Sequence, residues 1–445
     1  MILRNSRWGL LIGTLLLGSC GGGGGSNPVT IGPTPIPPGQ VASIAFSTAT
    51  PSFIYIAGIG KIETTILRFL TQDANGNPGP DGTVVNFTLQ GPNGGEYIGT
   101  PDSTPTQASS TTSGGIAEIS LHSGRVAGSV TVTARVDNSP TQSVTGRSPG
   151  ISIGGGVAAA GRFTLASSKT TLAMAAGQST TITAFVADRF GNTWGLEGSQ
   201  VSFYSEAGAS IDVANILDFF GQASVTLVAN GSTPLGFGGR LTILAVVNGE
   251  EAFTDQTGNG LYTLGEPFVE LGEPFLDANE TGLYEFPEFF IDADRNSTYT
   301  GSNGVWDGPG CPVAGCLTVK PIWARLTMIM SGNGGCTGVT PNPFAIANGA
   351  SQGFTFQARD IFGNDMISGT TVAVALSGAG TLTGQTSATT DGVDPPTTLS
   401  FTLADATVES PNVVTLQPAT ITITVTPPAT SGLIGCTAVI TGTVD

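Results

Sequence analysis

The sequence predicts an all-β protein of three tandem β-sandwiches with an acidic, irregular insert between the second and the third. Three observations carry this. Glycine (65 residues), proline (28) and frequent Thr and Val suit short strands and tight turns, because Gly and β-branched residues are poor helix formers. A turn-and-strand motif occurs three times, and the negative charge is concentrated in one window. Function classes narrow on the same composition: 15 Lys plus Arg stand against 32 Asp plus Glu, a net charge of −17, with no basic cluster to track a nucleic acid. One His, His122, and five Cys leave little material for a His-based triad or a zinc site. No enzyme is expected.

The chain begins with an export signal. Arg4 and Arg7 precede an apolar run, Trp8 to Leu17, that ends in Gly18, Ser19 and Cys20. Ten residues are too few for a bilayer, which needs about 20, so residues 1–19 read as a secretory signal. Leu17-Gly18-Ser19-Cys20 resembles the lipobox of bacterial lipoproteins. The resemblance implies lipidation of Cys20, and Gly21 rather than Asp after it implies the outer membrane, facing the cell exterior. Residues 20–40 hold five consecutive glycines and then Pro28, Pro33, Pro35, Pro37 and Pro38, a tether that is flexible first and extended afterwards.

The repeated motif is Asp73, Gly76, Asn77, Gly82, Val85 and Phe87 in its first copy. The second is Asp188, Gly191, Asn192, Gly198, Val201 and Phe203, and the third is Asp360, Gly363, Asn364, Gly369, Val372 and Val374. The Asp and Gly-Asn suit a tight turn, and the alternation after the second Gly suits a strand with one buried face. Further alternating stretches follow each copy, such as Ile116 to Leu121, Ala223 to Val228 and Leu399 to Leu403. Asp73 and Asp188 are 115 residues apart, a sandwich's length, whereas Asp188 and Asp360 are 172 apart, an excess of 57. The predicted domains are 41–149, 150–253 and 317–445, with 254–316 as the insert. With Gly115-Ile116-Ala117 and Val132-Thr133-Ala134-Arg135-Val136, these motifs resemble the bacterial Ig-like domains of the invasin and intimin group (Big-1). That resemblance implies Ig-like sandwiches serving as spacers or binding heads.

Between Glu250 and Asp307 there are 13 acidic residues against one basic residue, Arg295. Numbered from Asp255, oxygen-bearing Thr257 and Asn259 fall at positions 3 and 5, Gly260 at 6, Tyr262 at 8 and Glu266 at 12, with the Leu261 carbonyl at 7. The spacing is that of an EF-hand calcium loop, in which Gly makes the sharp turn and the last Glu gives two oxygens. It recurs as Asp277, Asn279, Thr281, Gly282, Leu283, Tyr284 and Glu288. A third run from Asp292 through Asp294, Asn296 and Tyr299 departs from it, with Ser297 in place of Gly and Asn303 at position 12. Pro267, Pro274 and Pro287 exclude EF-hand helices. Two Ca2+ loops in an irregular segment are expected, the alternative being an acidic linker without an ion.

Cys311, Cys316, Cys336 and Cys436 should be oxidised in an exported protein, and four cysteines allow three connectivities. Cys311 with Cys316, closing the insert, and Cys336 with Cys436, joining the first and last strands of the third domain, are expected; a four-Cys metal site is the alternative. The expectation as a whole is a lipid-anchored, surface-facing adhesion or structural element, with a protein or glycan partner, stiffened by calcium between its second and third domains. The alternative is a calcium-dependent carbohydrate- or protein-binding module.

Overall fold

The computed structural model describes residues 39–445 apart from 101–105, 235–236, 394, 408–409 and 411–412. Cys20, the signal and most of the tether lie outside the described residues. What is described is strand and turn, arranged as three successive two-sheet sandwiches.

In the first sandwich, Ser43–Thr50, Thr64–Gln72, Ile116–His122 and Tyr97–Ile98 form one sheet. Phe53–Tyr55, Ile151–Gly154, Gly128–Ser139, Val84–Gln90 and Gln107–Thr111 form the other, with Gln142–Arg147 hairpinned onto Gly128–Ser139. The predicted alternation is real: Val85, Phe87 and Leu89 face inward from Val84–Gln90 while their neighbours are exposed. A period of two puts every second side chain on the core face, and Phe69 meets Phe87 across the two sheets.

The other two sandwiches repeat this plan. Phe163–Ser167, Ser179–Val186, Gln222–Ala229 and Ala209–Ile211 oppose Thr171–Ala173, Lys320–Ser331, Arg240–Glu250, Gln200–Ser205 and Ala214–Ile216. In the third, Ser351–Gln357, Thr398–Ala404 and Thr381–Gly384 oppose Phe344–Ile346, Cys436–Val444, Gln417–Thr426, Thr371–Gly378 and Ser387–Thr389. In all three a short early strand runs parallel to the last strand of its sandwich.

Two expected boundaries move. Ile151–Gly154 pairs with Gly128–Ser139 and Phe53–Tyr55, so it closes the first sandwich instead of opening the second. More consequentially, Lys320–Ser331 is the last strand of the second sandwich, paired with Arg240–Glu250 from Arg240↔Ile329 to Gly249↔Lys320. The acidic insert is therefore a long connection inside the second domain and does not lie between the second and third. The physical reason is that Arg240–Glu250 is apolar on both faces. Leu241, Ile243, Ala245 and Val247 enter the sandwich core, while Leu244 and Val246 point outward and are covered by Leu276 of the insert.

Both expected disulfides are present, Cys311 to Cys316 and Cys336 to Cys436. Cys436 opens the last strand, but Cys336 lies in the segment entering the third sandwich, before the strand Phe344–Ile346.

The repeated aspartate turns stand at the joints between sandwiches. Asp188 accepts the Phe190 and Asn192 amides on Oδ1, and with Oδ2 it takes the amide of Gly156, in the segment leaving the first domain. Asp360 likewise accepts from Phe362 and Asn364, and its Oδ2 takes the Gly332 amide just past the second domain. Each turn thus ties the incoming chain to its own domain.

Candidate metal centre

The insert has two short strands of its own, Ala252–Phe253 and Phe268–Val269, and is otherwise loops around an aromatic core. Trp306 is fully buried, Tyr262 and Phe275 nearly so, and Tyr284 is half-buried. Tyr262 stacks on Trp306 with centroids 4.8 Å apart, and Tyr284 on Tyr299 at 4.1 Å.

In the loop from Asp255, Oδ1 accepts from the Asn259 amide (3.2 Å) and Oδ2 from that of Gly260 (2.6 Å). Glu266 closes it: Oε1 accepts from Gln256 (2.9 Å) and Thr257 (3.1 Å), and Oε2 from Thr263 (2.8 Å). The Thr257 hydroxyl bridges Asp255 and Glu266. The Thr263 amide foremost holds the Glu266 carboxyl below its usual range. For Asp255, burial pushes upward, but the Gly260 and Gly258 amides and the Thr257 hydroxyl outweigh it, and the net direction is down. Both are ionised oxygen donors at neutral pH.

The second loop repeats the geometry. Asp277 accepts from Thr281 (3.0 Å) and Gly282 (2.9 Å), and Glu288 from Ala278 and Glu285 (2.9 Å each). It differs in one respect: Asp277 Oδ2 also pairs with Arg325 Nη1 at 2.6 Å. Asn279 lies on the loop with its Oδ1 taking the Thr281 amide, and the Leu283 carbonyl takes the Thr281 hydroxyl.

The third run, which departs from the pattern in sequence, has the same form in space. Asp292 accepts from Asn296 (2.9 Å) and Ser297 (2.8 Å), and Ser297 adopts φ +64°, the left-handed turn that Gly260 and Gly282 make. Its closing carboxylate is Glu273, from upstream of the loop. Glu273 accepts from Ala293 (2.6 Å), Asp294 (3.3 Å) and Thr300 (2.9 Å), the bonds Glu266 makes in the first loop. Asn303, at position 12 by counting, does not serve. Carboxylate oxygens of Glu273, Asp292 and Asp294 lie within 4.8 Å of one another, and among the described residues none of the three forms an ion pair. These hard oxygens suit a calcium-sized cation.

Sequence reasoning missed Glu273. A signal existed: Glu-x-Phe occurs at Glu251, Glu266, Glu273 and Glu288, and the Phe two residues on faces the stacked aromatics each time.

The insert also reaches the first sandwich. Arg125 donates to the carbonyls of Gly258 (3.4 Å) and Asn259, while Arg189, at the first joint, forms a bidentate pair with Glu250 (2.8 and 2.5 Å) and donates to the Gly260 carbonyl (2.9 Å). Burial pushes the Glu250 carboxyl up, and Arg189 offsets part of this. His122 bonds Thr64 and stacks on Tyr97 at the end of its strand.

No protein-family model matches the chain, and no curated protein sequence matches it. Among solved structures, it is similar to FdeC, an Escherichia coli adhesin, at 14% identity and TM-score 0.37 over 92% of this chain and 100% of that one. It is similar to InvD of Yersinia pseudotuberculosis at 15% and 0.33, over 90% and 96%. For invasin, a bacterial integrin-binding protein, the values are 15% and 0.31, over 90% of this chain and 60% of that one. The fold assignment stands on the sheet topology described above, and the chain's structural neighbours are tandem Ig-like adhesins of the invasin and intimin type.

Proposed function

We propose that the protein is a lipid-anchored, surface-facing, non-enzymatic adhesion or structural rod whose first joint is stiffened by calcium. The observation that carries this reading is the convergence of Glu273, Asp292 and Asp294 within an insert that is also fastened to the first sandwich through Arg125. The insert's carboxylates outnumber the basic side chains paired with them and repel one another at neutral pH, and calcium in the loops at Asp255, Asp277 and Asp292 offsets that repulsion. The extracellular setting supplies calcium near the millimolar level that weak loops require. Cys20 is the proposed lipid attachment, and among the described residues no helix is long and apolar enough to cross a membrane. Mass spectrometry of the exported protein should find Cys20 as the first, acylated residue. Small-angle scattering with calcium and with chelator should show the longer, stiffer particle with calcium. Coincident profiles together with no calorimetric calcium binding would reduce the insert to an acidic linker.

A second reading, a calcium-dependent binding module, is favoured by one observation. A cleft of about 760 Å³ lies between the second sandwich and the second loop, lined by Tyr204, Val213, Phe286, Phe289 and the loop residues Asn279 and Glu288. Phe286 is 90% exposed. Such a lining suits an apolar protein segment more than a sugar. Binding to a glycan array in calcium alone would favour a carbohydrate partner and overturn the preference for protein.

A further inference from the structure

The hydrogen bonds that build the three loops occur a fourth time, on residues scattered along the chain. In each loop the first carboxylate accepts from the amides at positions 5 and 6; here Glu270 Oε1 accepts from Asn303 (2.6 Å) and Gly304 (3.1 Å). The position-5 oxygen takes the amide two residues on: Asn303 Oδ1 takes Val305 at 2.9 Å, as Asn259 takes Leu261 at 2.7 Å. The same amide group then donates to the side chain at position 9, from Asn303 Nδ2 to Asp307 Oδ2 and from Asn259 Nδ2 to Thr263 Oγ1, both 3.1 Å. Glu251 closes the array, accepting from Leu271 (2.8 Å) and Asp307 (3.1 Å) as Glu288 does from Ala278 and Glu285.

The remaining positions agree. Gly304 is left-handed at φ +80°, and Trp306 occupies the aromatic position. The arrays pair off through their stacked rings, the fourth with the first by Trp306 on Tyr262 and the second with the third by Tyr284 on Tyr299. Each pair is joined by one short backbone contact between its Glu-x-Phe phenylalanines, Phe253 with Phe268 and Phe275 with Phe290.

The second array carries Arg325 on its first carboxylate; the fourth carries a cation on its closing glutamate, Lys320. Its Nζ lies 2.8 Å from Glu251 Oε1 and 3.2 Å from Asp307 Oδ2, and donates to the Leu271 carbonyl at 2.6 Å. The lysine side chain is 12% exposed and both carboxylates 0%. We propose that Lys320 is a built-in cation in a fourth member of the metal-loop set, so that this array is held by an ammonium group and becomes a calcium site only when the lysine is removed. The inference rests on the calcium reading of the other three loops. The physical ground is that a buried carboxylate needs a counter-charge, and a monovalent ammonium on the closing glutamate excludes a divalent ion from the same oxygens. Lys320 is also the first residue of the strand that completes the second sandwich. The edge of the insert nearest the sheet is therefore closed without calcium.

The test counts bound calcium by native mass spectrometry and calorimetry on the exported, detergent-solubilised protein and on Lys320→Met. The wild type should bind three ions or fewer and the variant one more, with a melting temperature lowered in chelator and recovered in calcium. Equal counts of one or more in both proteins, or a fourth ion in the wild type, would overturn the lysine's role and leave the calcium reading intact. No ion in the wild type but one in Lys320→Met would support the lysine's role and overturn calcium in the other loops; none in either overturns both. If Lys320→Met does not fold even in calcium, the wild-type count alone decides: one to three ions support the proposal, and four or none refute it.

Discussion

The two joints of the molecule use one clamp and reinforce it in different ways. At each, an aspartate from the repeated turn takes the amide of the incoming chain, Asp188 from Gly156 and Asp360 from Gly332. The first joint is then overlaid by the insert, through Arg125, Arg189 and Glu250. At the second, the entering segment is bonded covalently to its own sandwich: four residues past Gly332, Cys336 is bonded to Cys436. One joint depends on charge and the other on redox state. Chelator or low pH should loosen the first and spare the second, and reductant should do the reverse.

The largest expected effect is at the second joint. Opening Cys336–Cys436, which spans 100 residues, should cost the third sandwich about 4–5 kcal/mol and leave the first sandwich's transition unmoved in calorimetry. A Cys311→Ser/Cys316→Ser variant keeps the reductant control clean. Next comes Arg189→Met, which leaves Glu250 buried without its partner; a broken buried pair costs about 3–5 kcal/mol, and here the loss should fall on the second sandwich. Asp188→Ala and Asp360→Ala each leave buried backbone amides without their acceptor, about 1–3 kcal/mol by denaturant titration. Spin-label distances across the joint should broaden more for Asp360→Ala when the disulfide is also reduced.

The smallest effect compares copies of one motif by pH. The Asn77 side-chain amide foremost holds half-buried Asp73 below the usual carboxylate range, so its contribution is whole above that range and is lost as pH falls through the lowered value. Burial pushes Asp360 up despite its amide donors, so its ionised form costs stability at neutral pH, and that cost is relieved as pH falls from the raised value towards the ordinary one. Carboxyl titration by NMR should place Asp360 above Asp73.

The sandwiches were legible in the sequence because alternation with period two fixes which face of Val84–Gln90 or Thr398–Ala404 is buried. The place of the insert was not. Lys320–Ser331, with partly buried residues along most of its length, lacks clean alternation and reads as the start of a new domain. Its partner's doubly apolar run from Leu241 to Val247 was the available sign that something covers the outer face. The turns at Asp255 and Asp277 are contiguous in sequence, and the left-handed glycines Gly260 and Gly282 fall where the spacing puts them. The third takes Glu273 from 19 residues before Asp292, and no local numbering finds a ligand that arrives from upstream.

The bond between Cys336 and Cys436 has a mechanical meaning for a chain pulled at its two ends. Tension arriving from the second sandwich enters at Cys336, and tension applied beyond Cys436 leaves through the last strand, so the covalent bridge carries the pull directly between them. The residues enclosed by that bridge are taken out of the load path. In the first two sandwiches the parallel pairing of the early strand with the last strand instead meets the pull in shear, with its hydrogen bonds loaded together. Under a pull on the two ends of the described chain the third sandwich is thus a fused link, and extension is confined to the first two.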